Sequence, residues 1–177
     1  MQRTLFLSGR PGVGKTTIVK QVAAELGARA SGFYTEEIAG PGGRKGFRVI
    51  TLDGKQATFA HIDIRSKSKV GRYGVDVAAF ERVGVAALRA AIDQAEIIVF
   101  DEIGKMELFS SQFRSAAIKA VGCGKPVIAT VMLAAHPWVE ALKALPGVKT
   151  VEVTLKNRDT LVADVLDWLK VQKIGSH

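Results

Sequence analysis

Gly9-Arg10-Pro11-Gly12-Val13-Gly14-Lys15-Thr16 is the stretch from which the rest of this 177-residue chain is read. It satisfies G-x-x-x-x-G-K-[ST] at every position, and its surroundings supply what the bare pattern lacks. Residues 4–8 form a short apolar run of strand length. After the loop, Ile18, Val22 and Leu26, with Val19 and Ala23, recur at helical spacing until Gly27, a residue suited to ending a helix. A strand therefore passes through a glycine loop into a helix. Glycines let backbone N–H groups turn inward around phosphate oxygens, and the helix N-terminus presents a partial positive charge to the same anion. In such a loop Lys15 reaches the β- and γ-phosphates of a nucleotide, and the Thr16 hydroxyl holds Mg²⁺.

The apolar run Ile97-Ile98-Val99-Phe100 ends in two carboxylates, Asp101 and Glu102. Beside a phosphate-binding loop, an aspartate at a strand end holds Mg²⁺ through water, and a glutamate next to it is placed to polarise the attacking water. Lys15 and Glu102 are the expected catalytic residues, and Thr16 and Asp101 the expected metal-holding pair. A carboxylate dedicated to water favours hydrolysis, whereas a kinase must exclude water and position an acceptor hydroxyl. A small-molecule or nucleoside kinase, built on the same loop with an inserted segment over its acceptor site, is the alternative.

Outward from these motifs, hydrophobic period gives alternating strands and helices. Helices over about 79–94, 112–121 and 138–145 precede strands at 97–100, 127–131 and 149–153. A last helix spans about 158–170 with Asn157 as its N-cap. Between the first helix and this series, short runs at 32–38, 46–52 and 56–61 are separated by Gly40-Pro41-Gly42-Gly43 and Asp53-Gly54, which are hairpin signals. The expected architecture is one α/β domain over residues 1–177. It has a mostly parallel sheet with helices on both faces, a β-hairpin insertion at about 31–75, and a tail at 174–177.

Composition bounds the function. The chain carries 25 Lys and Arg against 17 Asp and Glu, a formal charge of +8. Eight basic residues and two acidic ones fall between Arg44 and Arg72, so most of the excess sits in the insertion. A basic surface spread over the whole molecule, suited to coating nucleic acid or an anionic membrane, is not described by that distribution, and no nucleic-acid partner is expected. The basic stretch instead suits a lid over a triphosphate, with Arg44, Arg48, Arg72 and Lys105 as candidate cations for the transferring phosphoryl group and Thr130 as a candidate γ-phosphate sensor. A single cysteine, Cys123, forms no internal disulfide. No apolar run reaches membrane-span length, and a monomer in the cytoplasm is expected.

With those residues in place, the chain resembles the P-loop nucleoside-triphosphatase family of the NTPase-THEP, or cancer-related nucleoside-triphosphatase, type. The resemblance rests on GRPGVGKTT at 9–17, GFYTEE at 32–37, GGRKGF at 42–47, VGRY at 70–73, DEIGKMEL at 101–108, and Val153-Thr154 followed by Asn157-Arg158-Asp159. It implies a RecA/AAA-related sheet and slow Mg²⁺-dependent hydrolysis of ATP, GTP, CTP and UTP without strict base choice. It also implies nucleotide contact by residues 9–16 and by Val99-Phe100-Asp101-Glu102-Ile103-Gly104-Lys105-Met106, and it matches Glu36, Arg44, Arg72 and Arg158 to family positions.

Overall fold

The computed structural model describes the backbone of residues 1–174 and the side chains through Gln172. Strand β1 (Thr4–Gly9) is buried along its whole length because it is covered on both faces. Its alternate side chains separate accordingly. Leu5 and Leu7 pack with Ile18, Val19, Val22 and Leu26 of helix α1 (Lys15–Leu26) and with Leu161, Val165 and Leu169 of α6 (Leu161–Ile174). Phe6 turns to the opposite face, where α2 (Val77–Phe80), α3 (Ala86–Gln94), α4 (Ser111–Gly122) and α5 (Pro137–Lys143) lie. Phe33, Phe59, Phe80, Phe100 and Phe113 fill that second core in edge-on and tilted pairs 5.2–6.3 Å apart.

The remaining strands are β2 (Ala30–Gly40), β3 (Gly43–Thr51), β4 (Gln56–His61), β5 (Lys69–Val70), β6 (Tyr73–Val75), β7 (Ile97–Ile103), β8 (Val127–Met132) and β9 (Val148–Glu152). They form one nine-stranded sheet in the order β5-β6-β4-β3-β2-β7-β8-β1-β9. The run from β2 to β9 is parallel. One strand, β8, stands between the strand that enters the phosphate loop and the strand that ends in the acid pair.

The inserted segment departs from the expected form. The first part of β2 pairs in parallel with β7 over Ala30–Phe33, and the rest continues as an antiparallel hairpin with β3. β4, β6 and the short β5 then extend the same sheet edge, so the hairpins form a wing of the main sheet. Elsewhere the boundaries moved by capping. Asp76 accepts the Ala79 N–H and starts its helix early, and Ser110 accepts the Phe113 N–H. A π turn at Glu81–Val85 joins α2 to α3. It contains Gly84, where a Cβ would meet the Phe80 ring at 2.8 Å and Val49 at 3.1 Å.

The last helix begins at Leu161, three residues later than expected, because Asn157 is committed to a turn. Its side chain accepts the Thr154 N–H and donates to the Glu152 carbonyl. The expected tail is corrected at Ile174, which is the last residue of α6, while residues 175–177 lie outside the described residues.

Candidate active site

Gly12 (φ 79°) and Gly14 (φ 113°) adopt left-handed backbone conformations, which turn the loop around the space ahead of α1. Gly14 is the N-cap of α1 and offers no side chain, so the first amides of that helix remain available to an anion. Lys15 is 7% exposed; its Nζ donates to the Gly9 carbonyl at 2.7 Å and lies 3.7 Å from Glu102 Oε1.

α1 also carries Thr16 across to β7, where its Oγ1 stands 3.2 and 3.0 Å from the two carboxylate oxygens of Asp101. Asp101 is completely buried and ringed by donors. Thr35 contributes its N–H at 3.2 Å and its hydroxyl at 3.3 Å, and the Thr130 hydroxyl donates to the other oxygen. Burial pushes the Asp101 carboxyl up, and the donors from Thr130, Thr35 and Thr16 pull it back. Burial likewise raises Glu102; the Lys15 charge opposes this and the Asp101 charge adds to it. The peptide between the two acids is cis.

A cavity of about 620 Å³ opens over these groups. Of the sequence candidates, Pro11, Gly12, Gly14, Lys15, Thr16, Glu102, Gly104, Lys105 and Met106 line it. Gly9, Arg10 and Val13 do not, and Gly9 acts through its carbonyl on Lys15. Val99, Phe100 and Ile103 do not line it: all three are fully buried, divided between the two cores by strand alternation in a sheet covered on both sides. Thr130 is also fully buried, and its hydroxyl donates a hydrogen bond to Asp101.

The basic lid is corrected as well. Of the basic residues within 44–72, Arg44 alone lies in the cavity wall, beside Phe47 and Val70. Arg72 instead donates to the Arg44 carbonyl and stacks on Tyr73, and Arg48 has its Nε buried away from the cavity. Arg158 does not line the cavity, and its Nη1 donates to the Val13 carbonyl at 3.4 Å.

Two functional groups escaped the sequence reading. Thr35 had a signal, since it sits in the GFYTEE stretch and on the strand paired with β7. Glu107 had none. The 3₁₀ turn Glu107–Phe109 tucks it into the cavity wall at 6% exposure. Its Oε2 stands 3.0 Å, and Glu102 Oε1 3.5 Å, from the position a Cβ on Gly104 would take, so the two carboxyls converge over this glycine.

Burial, and then the Glu102 charge, hold the Glu107 carboxyl well above the usual carboxylate range; the backbone N–H groups of Glu107 and Gly104 offset this only in part. The folded protein therefore holds a proton there to higher pH than the unfolded chain, which releases it around a value of about 4.3. Its stability contribution is complete below that value and is lost as pH rises through the raised folded value. Glu107→Gln keeps an acceptor oxygen and removes this loss. Its thermal midpoint, measured by calorimetry, is expected above wild type at pH 8, with the gain shrinking toward pH 4; no gain at pH 8 would mean that folding does not raise this carboxyl.

Comparison with known proteins agrees with this geometry. The NTPase family profile matches residues 4–166. The chain is 43% identical over 169 residues to the nucleoside-triphosphatase THEP1 of Thermotoga petrophila, across 96% of this chain and 94% of that protein. It superimposes on the crystal structure of THEP1 from the hyperthermophile Aquifex aeolicus with a TM-score of 0.85 at 40% identity, across 94% of this chain and 98% of that one. It superimposes on the solution structure of a human cancer-related nucleoside triphosphatase with a TM-score of 0.81 at 34% identity, across 96% and 98%. These matches run through the phosphate loop, the inserted wing and the acid pair alike, and the chain belongs to the NTPase family.

Proposed function

We propose that the protein hydrolyses nucleoside 5′-triphosphates, ATP, GTP, CTP and UTP among them, to the diphosphate and inorganic phosphate with Mg²⁺. The observation that carries this reading is the placement of Glu102 in one cavity with Lys15, 3.7 Å from its Nζ, at the open N-terminus of α1. The relatives' names support hydrolysis, and so does a carboxylate in the cavity wall that is committed to no structural hydrogen bond other than its approach to Lys15.

The residues present fit Mg²⁺. The Thr16 hydroxyl stands against both oxygens of Asp101, a hard-oxygen pair of the kind that ion takes together with phosphate oxygens. Thr16 and Asp101 would hold it, and it would supply neutralisation of the charge on the β- and γ-phosphates. Lys15 exchanges the Gly9 carbonyl for phosphate oxygens, and the loop amides receive the remaining charge. Glu102 orients a water and takes its proton as the water oxygen bonds to the γ-phosphorus. The bond to the β–γ bridging oxygen breaks, and its electron pair leaves on the diphosphate. Since these groups read phosphates, the base contributes little to selection.

We further infer a monomer acting in the cytoplasm as one domain, without a nucleic-acid partner. Among the described residues no helix is long and apolar enough to cross a membrane. A phosphate-release panel over the four triphosphates and their diphosphates, with and without EDTA, tests the reading. Release from all four triphosphates without any acceptor, abolished by EDTA, is expected. Release that appears only as transfer to an added nucleoside would overturn it in favour of a kinase.

A further inference from the structure

Part of the cavity wall comes from the inserted wing, and Arg44 on β3 is its only basic residue from the 44–72 stretch. Most exposed arginines hold no fixed geometry. Arg44 is held from several sides although 41% of its side chain is exposed. Its Nη1 donates to Glu37 Oε1 at 2.7 Å and its Nε to the Tyr73 hydroxyl at 3.2 Å. The guanidinium lies 5.0 Å over the Phe47 ring and 5.9 Å from that of Tyr73, and those rings meet edge-on at 5.6 Å. Arg72 braces the arrangement through the Arg44 carbonyl and the Tyr73 hydroxyl. Nη2 has no hydrogen-bond partner among the described residues.

We propose that Arg44 is the catalytic cation supplied from within this chain to the γ-phosphoryl group of the bound triphosphate, released for that task from its ion pair with Glu37. The proposal rests on the hydrolase reading above. The aromatic stand fixes the guanidinium in the part of the cavity wall that the wing supplies, while Lys15 stands in the part that the loop and α1 supply, so a triphosphate seated in the loop meets cations from two elements. The Glu37 partner is 63% exposed, and an exposed pair of this kind is weak enough for a triphosphate with about four negative charges to displace. During the reaction Arg44 gains and loses no proton. Water bonds to the γ-phosphorus, its proton passes to Glu102, the bond to the bridging oxygen breaks toward the diphosphate, and the fixed guanidinium offsets the charge on the phosphoryl oxygens in flight. Lys105, the other candidate in the cavity wall, is an exposed flexible cation without such a stand.

Phosphate release and diphosphate binding, measured with Mg-ATP and Mg-ADP on wild type, Arg44→Ala, Arg44→Lys, Glu37→Gln and Lys105→Ala, test the assignment. Arg44→Ala is expected to lower kcat by about 100-fold or more, within reach of the effect of such arginines elsewhere. Its ADP affinity stays within about twofold of wild type, and guanidinium ion added at low millimolar concentration restores part of the rate. Arg44→Lys keeps the charge without the fork and falls between. Glu37→Gln removes the competing carboxylate and raises kcat/KM by about two- to fivefold, the strength of an exposed pair. Equal losses in Arg44→Ala and Glu37→Gln would make the pair structural and overturn the proposal, as would a rate in Arg44→Ala within about threefold of wild type, or the larger loss falling on Lys105→Ala. Wild-type protein that releases no phosphate would instead overturn the hydrolase reading, so the two failures are distinct.

Discussion

Glu102→Gln protein is expected to bind Mg-ATP at least as tightly as wild type while releasing phosphate about 10³-fold more slowly. The magnitude follows from the role. A positioned general base contributes about 10²–10⁴ in rate, and 10³ corresponds to about 4 kcal/mol of transition-state stabilisation. The structure favours the middle of that range over its lower end, because neither Asp101 nor Glu107 is placed to substitute. Asp101 is completely buried and engaged with Thr16, Thr35 and Thr130, and Glu107 is tucked into the wall at 6% exposure, where burial holds its carboxyl well above the usual carboxylate range and so leaves it less ionised than an ordinary glutamate at any given pH.

Affinity survives in this variant because Gln removes a negative charge from the cavity while leaving Lys15 and the loop amides in place. The Glu102 carboxyl is itself raised by burial, so the acid limb of kcat/KM in wild type should lie above the ordinary carboxylate value of about 4.3, with activity rising as pH rises through it. Stopped-time phosphate release and fluorescent-nucleotide titration measure the two quantities separately. Turnover within tenfold of wild type would remove Glu102 from the base role.

The sequence disclosed the phosphate loop, the acid pair and the layered α/β plan for a shared reason: each is written in local chemistry. A loop that wraps phosphate needs Gly12 and Gly14 where φ turns positive, and a strand covered on both faces needs unbroken apolar residues up to Asp101. What stayed hidden depends on which way a side chain faces. Eight cations between Arg44 and Arg72 share a sign, and sign alone does not separate Arg44, facing the cavity, from Arg72, turned onto Tyr73. Thr130 at a strand end suits a phosphate sensor as well as a buttress, and only the register of β8 against β7 assigns it to Asp101. Glu107 reads as a solvated acid until the 3₁₀ turn after β7 folds it beneath Gly104. The long β2 escaped for a related reason, since its first residues answer to β7 and its last to β3, and one hydrophobic run gives no mark of the change.

Lys15→Ala is expected to lose both functions at once, with triphosphate affinity falling by about 100-fold or more and turnover undetectable. The side chain is 7% exposed and its Nζ is held at the mouth of α1 by the Gly9 carbonyl, so the cation is fixed before substrate arrives and little ordering is required of it on binding. Removing it takes away the charge opposite the β- and γ-phosphates and also the only cation within 4 Å of Glu102 among the described residues. Without that partner, burial and the Asp101 charge raise the Glu102 carboxyl further, and the base is protonated over more of the working pH range. The two residues therefore act as a unit, and their effects should not add. A Lys15→Ala/Glu102→Gln double variant should turn over no more slowly than Lys15→Ala alone, and should recover part of its lost affinity, because the carboxylate left unpaired beside the phosphates is gone. Isothermal titration of the single and double variants with Mg-ATP measures this coupling. Wild-type affinity in Lys15→Ala, or strict additivity in the double variant, would separate Lys15 from Glu102 and require a different cation at the phosphates.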